Sequence, residues 1–214
     1  MRRTTAALIV LLLPALASAQ GFRNQWEWSV AAIYQESEGT GTVGGSGLEI
    51  DSDWGLGFNF SYLFSEKFML GVDLEWLSPD YKATLLNEDG ETSIIDHKFS
   101  QFNGRIKGTW NFMDGPFTPY LEGGIGWTYV DSNVADGPPI TGCWWHPWWG
   151  YICSNYYSTF TETSFSYGGA IGARYRLQGN TILKLSYNNW EIDGSGEAPN
   201  PPLNAWRFEV AWGF

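Results

Sequence analysis

Between residues 53 and 64 every second position holds a large apolar side chain: Trp54, Leu56, Phe58, Phe60, Tyr62 and Phe64. Asp53, Gly55, Gly57, Asn59 and Ser61 fill the places between. Successive side chains of a β-strand point to opposite faces, so this period of two predicts a strand with one apolar face and one polar or small face. Seven more segments of about ten residues, the length of a tilted membrane-crossing strand, repeat the pattern. The first carries Trp26, Trp28, Val30, Ala32 and Tyr34, and the third Leu70, Val72, Leu74 and Trp76. The fourth carries Phe102, Ile106, Trp110 and Phe112, with Gly104 and Gly108 in the same register. The fifth carries Leu121, Ile125, Trp127 and Tyr129; the sixth Phe165, Tyr167, Ile171, Tyr175 and Leu177. Leu183, Leu185 and Tyr187 mark the seventh, and Trp206, Phe208, Val210, Trp212 and Phe214 the eighth.

The connections alternate in length. Residues 65–67, 113–118 and 178–180 are tight turns, whereas residues 36–50, 78–97, 131–160 and 191–203 are long polar stretches. Short turns at one end and long loops at the other, with aromatic residues at both ends of nearly every strand, are the layout of an outer-membrane barrel. A soluble β-sandwich also alternates but has no reason to set aromatic girdles at two levels. The predicted fold is all-β: an eight-stranded antiparallel up-and-down transmembrane β-barrel with short periplasmic turns and long extracellular loops.

The face away from lipid carries matched charge. Glu27, Asp53, Asp73, Glu75, Glu122 and Glu209 stand against Arg105, Lys107, Arg174, Arg176, Lys184 and Arg207. Asp73 and Glu75 lie at the level of Arg105 and Lys107 on the neighbouring strand, and Glu122 is expected near the level of Arg174 and Arg176. Isolated charges in a narrow interior are costly, so paired networks are expected. An eight-stranded barrel has an interior just wide enough for side chains to fill it. The charges therefore read as a plug of salt bridges, with a hydrated pore lining as the alternative.

The chain opens with Arg2 and Arg3, an apolar run over residues 6–13, and Ala17-Ser18-Ala19. This is the form of a secretory signal peptide over residues 1–19, which leaves residues 20–214 as one barrel domain. Loss of the two arginines moves the formal net charge from −11 to −13. So acidic a chain is unsuited to nucleic acid, whose recognition rests on neutralising phosphates. The two cysteines, Cys143 and Cys153, fit a disulfide formed outside the cytoplasm.

These features resemble the small outer-membrane barrel family that includes the OmpA transmembrane domain, OmpX and the opacity proteins. The resemblance rests on the signal peptide, the eight strands, "PYLEGGIGWTYV" at 119–130, "SYGGAIGARYRL" at 166–177 and the terminal "FEVAWGF". It covers the mature chain and implies residence in the bacterial outer membrane, among its lipid and lipopolysaccharide. It further implies that Phe214, with Trp212 and Val210 at alternate positions before it, is the signal read by the barrel-assembly machinery. A peptidoglycan-binding domain, and hence a periplasmic tether, is not implied.

Catalytic chemistry is poorly supported, and no enzyme activity or cofactor is expected. Lipid A deacylases and palmitoyltransferases are also eight-stranded barrels, and likeness to them would imply a histidine–serine site. His97 stands beside Asp96 with Ser100 following, and His146 precedes Pro147 and Trp148; neither pattern commits to a nucleophile–base pair. No Cys/His cluster has zinc spacing.

The loops are acidic. Glu36, Glu38, Glu49 and Asp51 lie in the first, and Asp80, Glu88, Asp89, Glu91 and Asp96 in the second. Asp131, Asp136 and Glu162 lie in or beside the third, and Glu191, Asp193 and Glu197 in the fourth, opposed by Lys82 and Lys98. Such carboxylates solvate the surface, or share divalent cations with lipopolysaccharide phosphates, since hard cations prefer oxygen ligands. The third loop also holds "GCWWHPWWGYIC", where Cys143 and Cys153 bracket Trp144, Trp145, Trp148, Trp149 and Tyr151. Three readings stay open: a small core folded onto the barrel mouth, rings lying in the headgroup layer, or a platform for sugars or a partner protein. Two functions follow: a closed structural barrel whose loops contact lipopolysaccharide or external partners, or a narrow channel for small solutes, as likeness to OmpW-type barrels would imply.

Overall fold

A computed structural model describes residues 25–39, 47–86, 92–177, 179–193 and 202–214. The expected signal peptide lies outside the described residues, as do Glu88, Asp89, Glu91, Gln178 and Glu197. Among the described residues fourteen strands follow in order: β1 (Gln25–Gln35), β2 (Glu38–Gly39), β3 (Gly47–Ile50), β4 (Asp53–Leu63), β5 (Phe68–Leu77), β6 (Asp80–Leu86) and β7 (Thr92–Lys98). Then come β8 (Ser100–Asn111), β9 (Phe117–Ala135), β10 (Ile140–His146), β11 (Gly150–Tyr156), β12 (Thr159–Arg176), β13 (Thr181–Asp193) and β14 (Leu203–Gly213).

Eight of them close a barrel in the order β1-β14-β13-β12-β9-β8-β5-β4, every neighbour antiparallel, with β4 returning to β1. Closure leaves the barrel strands no open edge between lipid and protein, which membranes require because hydrocarbon cannot hydrogen-bond the backbone. At the seam the Trp26 amide donates to the Phe214 carbonyl (3.0 Å), and the Phe214 amide to that of Trp26 (2.9 Å). The alternation read from the sequence fixes the facing: Trp54, Leu56, Phe58 and Phe60 point outward, and Gly55, Gly57, Asn59 and Ser61 inward. Outward rings meet across strands in two bands. Tyr34–Trp54 (5.1 Å), Trp76–Phe102 (5.2 Å) and Tyr187–Trp206 (5.0 Å) mark the loop end, and Trp26–Phe60 (4.9 Å) and Trp28–Trp212 (4.4 Å) the turn end.

The long connections differ from the expected polar loops. The first two fold together into a four-stranded sheet ordered β2-β3-β6-β7, and the third rises as the hairpin β10–β11. β9 and β12, at 19 and 18 residues, run well past the length a bilayer needs. The strand content of these loops follows from short β-branched and aromatic stretches such as Tyr81-Lys82-Ala83-Thr84 and Ser93-Ile94-Ile95. They lack the outward aromatic repeat that marks the membrane strands, so their pattern reads as polar loop.

Inside, the barrel is layered. Leu63, Met69, Tyr120, Ile182 and Ala211 are buried toward the turn end, and Ile33, Leu77, Trp190 and Leu203 toward the loop end. The charged residues fill the space between these apolar lids.

Candidate functional site

Ten of the predicted lumen charges form one continuous chain of ion pairs. Arg174 pairs with Glu27 (2.8 Å), Glu27 with Lys184, and Lys184 with Glu209 (3.8 Å). Glu209 takes Nε of Arg207 (2.6 Å), and Arg207 grips Asp73 with both Nη atoms (2.5 and 2.6 Å) and Glu75 with one (2.5 Å). Glu75 holds Arg105 (2.5 Å), while Asp73 holds Lys107 (3.2 Å), which reaches Glu122 (2.8 Å). Five acids meet five bases. Leftover lone pairs are used as well: Ser29 donates to Glu209 (2.7 Å), Thr109 to Glu122 (3.0 Å) and Asn103 to Glu75 (3.1 Å). Buried charges persist when paired and hydrogen-bonded in this way.

Strand register explains the geometry. Asp73 lies directly opposite Arg105 across β5 and β8, yet the ion pairs run diagonally, Arg105 to Glu75 and Lys107 to Asp73. Arg207 comes from β14 and crosses the lumen to β5. A Cβ built on inward Gly57 of β4 would lie 3.3 Å from Nη2 of Arg207 and 3.2 Å from Ala31, so the missing side chain leaves the guanidinium its passage. The expected level of Glu122 is corrected. Register sets it beside Thr109 and Ala170, whereas Arg174 stands opposite Thr118, and the ion partner of Glu122 is Lys107. The two remaining predicted charges sit at the rims. Asp53, opposite Gln35 at the loop end, accepts from the Ser78 amide (3.3 Å) and stands outside the ion-pair chain. Arg176 is half-buried at the turn end, opposite Ile182.

Sequence reasoning missed the lid residues. Trp190, 2 % exposed, stacks its ring on the Arg105 guanidinium at 4.1 Å, a cation–π contact inside the lumen. Its signal was available: Trp190 falls in the inward register of Ser186 and Asn188, out of step with Tyr187. Two small cavities lie among the described lumen side chains. One, of about 20 Å³, lies between Trp190, Arg105, Gln35 and Leu203; the other, of about 10 Å³, lies between Lys107, Lys184 and Glu209. Each has room for about one water molecule.

At the loop end several acids serve the aromatic band. Glu36 accepts from the Tyr187 hydroxyl (3.0 Å) and the Trp206 indole (3.1 Å), Glu38 from Asn204 (2.6 Å), and Glu191 from Tyr167 (2.5 Å). Asp51 binds Lys82 (2.8 Å) and holds its ammonium above the usual range by hydrogen bond and charge; Lys98 meets Asp80 at 3.8 Å. Among the described residues no three His, Cys, Asp or Glu side chains are grouped to hold a metal ion. His97 Nδ1 accepts from the Lys98 amide (3.1 Å), and His146 Nδ1 from the Trp148 amide (3.3 Å).

The aromatic stretch forms a stapled arm. Cys143 and Cys153 are direct cross-strand partners joined by a disulfide, their Cα atoms 4.0 Å apart. Trp145 faces Tyr151, Trp144 faces Ile152, and at the tip His146 packs against Trp149 (4.1 Å) and Trp148 (5.5 Å). Among the described residues β10 and β11 pair only with each other. The rings are not folded into a core on the barrel mouth: Trp148 is 81 % exposed, Trp145 73 % and Trp149 72 %. The reason is connectivity. Asp136, Gly137 in a left-handed conformation (φ 139°), Pro138 and Pro139 separate β9 from β10, so the β9–β12 ladder ends and the hairpin stands beyond it as a ladder of its own.

A closed antiparallel barrel with an apolar exterior, two aromatic bands and a charged interior is the outer-membrane architecture. Residues 5–214 match the outer membrane protein beta-barrel domain family, and the chain belongs to it. The protein is accordingly one of the bacterial outer membrane. No curated protein sequence matches. Among solved structures the chain is similar to Neisserial surface protein A, at 15 % identity and a TM-score of 0.56, covering 88 % of this chain and 97 % of that one. It is also similar to OprG of Pseudomonas aeruginosa (15 % identity, TM-score 0.55, covering 90 % and 96 %). A third match is Ail of Yersinia pestis, in complex with the heparin analogue sucrose octasulfate (12 % identity, TM-score 0.53, covering 90 % and 99 %). At these identities the likeness is one of fold.

Proposed function

We propose that this protein is a closed structural barrel that presents interaction loops at the cell surface, and that it is neither a solute channel nor an enzyme. The observation that carries this reading is the neutral chain of ten charges, nine of them buried, crossing the lumen between two apolar lids, with cavities of about 20 and 10 Å³ among them. A hydrated pore needs a continuous water path, and those cavities hold about one water each. In this reading the lipid-facing girdles and acidic loops sit among lipopolysaccharide, with divalent cations bridging loop carboxylates to its phosphates. Val210 and Trp212, on the strand that closes the barrel against β1, and Phe214 just after it serve as the signal for the assembly machinery. The acidic loop end has the wrong sign for a polyanion such as the heparin analogue held by Ail. Refolded protein in planar bilayers tests the reading: it should give no steady conductance, and stable ohmic openings by the unaltered chain would overturn it.

A further inference from the structure

We propose that the β10–β11 arm is a membrane-anchoring finger that inserts end-on into a second, neutral-surfaced lipid bilayer facing the loop end of the barrel. The inference rests on the surface-barrel reading and names the partner of one loop.

Three observations carry it. The first is charge: from Gly137 to Thr161 the chain has no Asp, Glu, Lys or Arg, although every neighbouring loop is acidic. The second is the direction of the polarity gradient. Beyond the disulfide, both faces of the hairpin are aromatic or apolar, with Trp144 and Ile152 on one and Trp145 and Tyr151 on the other, and Trp148 and Trp149 at the tip. On the barrel side of the disulfide the exposed pair Ile140 and Tyr156 is followed by Thr141, Ser154 and Asn155, with the Thr141 hydroxyl donating to the Asn155 side-chain oxygen (2.7 Å), and no tryptophan stands there. A surface made to lie flat on a sugar or a protein would gather its rings on one face. Here all four tryptophans of the arm lie beyond the disulfide on both faces and at the tip, as on a segment entering a bilayer by its tip, and indoles favour the lipid–water interface.

The third observation is reach. β9 passes the last aromatic of the girdle, Tyr129, and continues to Ala135 before the seven-residue strand β10 begins. At about 3.3 Å per residue, β10 alone spans roughly 23 Å. That is more than two Debye lengths at physiological salt, so the acids at the base of the arm, Asp131, Asp136 and Glu162, are screened from a surface at the tip. The disulfide fixes the pairing of a hairpin that would be marginal alone, and so presents the rings already ordered.

The test uses the whole protein embedded in phosphatidylcholine nanodiscs and, added separately, vesicles of brominated phosphatidylcholine. The unaltered protein should float with the vesicles. Their bromines should quench a minority of its emission, since four of thirteen tryptophans belong to the arm. Trp148→Ala with Trp149→Ala should weaken flotation by at least about tenfold and abolish that quenching, because two large interfacial rings are lost. Cys143→Ser with Cys153→Ser should weaken it less, through loss of order only. Binding to neutral vesicles should be insensitive to salt. Binding to vesicles containing phosphatidylglycerol should be weaker at low salt and recover as salt rises. Absence of flotation, or equal flotation of the tryptophan variant, overturns the proposal. So does displacement by a neutral oligosaccharide, which would make the arm a sugar platform. Arm quenching only when the brominated lipid is in the protein's own nanodisc also overturns it, since the arm would then fold back. A barrel that is silent in planar bilayers but fails these tests loses the finger and keeps the closed-barrel reading.

Discussion

Removing the hub of the lumen network should cost more than any rim charge, and the loss should be partly reversible by a second charge removal. Arg207 is 1 % exposed and touches three carboxylates, Asp73, Glu75 and Glu209. Arg207→Gln leaves the five acids facing four bases. Glu75 keeps Arg105 and Asp73 keeps Lys107, but Glu209 keeps Lys184 at 3.8 Å as its ion partner, besides the Ser29 hydroxyl. Breaking a buried pair from one side costs about 3–5 kcal/mol, much of it the uncompensated charge left behind. Asp73→Asn should cost a similar amount with the opposite sign of imbalance, stranding part of Arg207 and Lys107. Additivity would put the double variant at about 6–10 kcal/mol, and restored neutrality should lower that by about 0.5–3 kcal/mol. A second double variant, Asp73→Asn with Arg174→Gln, restores neutrality without touching a shared pair. Arg174 binds Glu27 and Met69, and Met69 lies four residues, roughly 13 Å, along β5 from Asp73. Its coupling should be smaller. The assay is a reversible urea titration of folding into phosphatidylcholine vesicles, followed by tryptophan emission and by heat-modifiable electrophoretic mobility. Additivity of Asp73 and Arg207 within about 0.5 kcal/mol, or equal coupling in both doubles, would refute the network as a set of specific contacts.

The other perturbations probe the exterior, the lid and the arm. Outward Ile125→Arg should destabilise folding by about 2–4 kcal/mol in the same titration, because it sets a cation against hydrocarbon near the bilayer middle. Trp190→Ala should cost about 3–5 kcal/mol, remove the ring over Arg105 and enlarge the lid cavity. If Trp190 seals the lumen, that variant should also flicker open in planar bilayers where the unaltered protein stays silent. Joint replacement of Cys143 and Cys153 by serine should destabilise the arm by about 2.5–3 kcal/mol on the chain-entropy estimate, seen as faster amide exchange over β10 and β11 with the barrel unchanged.

The barrel was legible because lipid and lumen act on alternate residues of the same strand. Every outward Trp, Phe, Leu or Ile is selected by one solvent and every inward Gly, Ser, Asn or charge by the other, so a period of two shows on each strand. The inward charges were legible for the same reason, but their pairing was not. Level along a strand is readable from residue number only if register is known, and the diagonal pairs of Arg105 and Lys107, like the crossing of Arg207 past Gly57, depend on register and shear. Trp190 escaped because an inward tryptophan looks, in composition, like one more girdle residue; only its position two beyond Asn188 and four beyond Ser186 reveals its side.

The arm was the least legible, and the reason lies in what an aromatic residue can do. A tryptophan is compatible with a core, an interface or a binding platform, and the string between Cys143 and Cys153 carries no periodicity that chooses among them. The core reading was removed by backbone features outside the string: the glycine and two prolines after Asp136, which part the hairpin from the barrel strands, and the direct pairing of the two cysteines across the hairpin. Those features hold the rings away from the barrel mouth, leaving Trp145, Trp148, Trp149 and Tyr151 exposed on an arm without Asp, Glu, Lys or Arg. Leaving so much apolar surface in water is costly, so the arm is better explained by something that covers it than by the barrel it stands on.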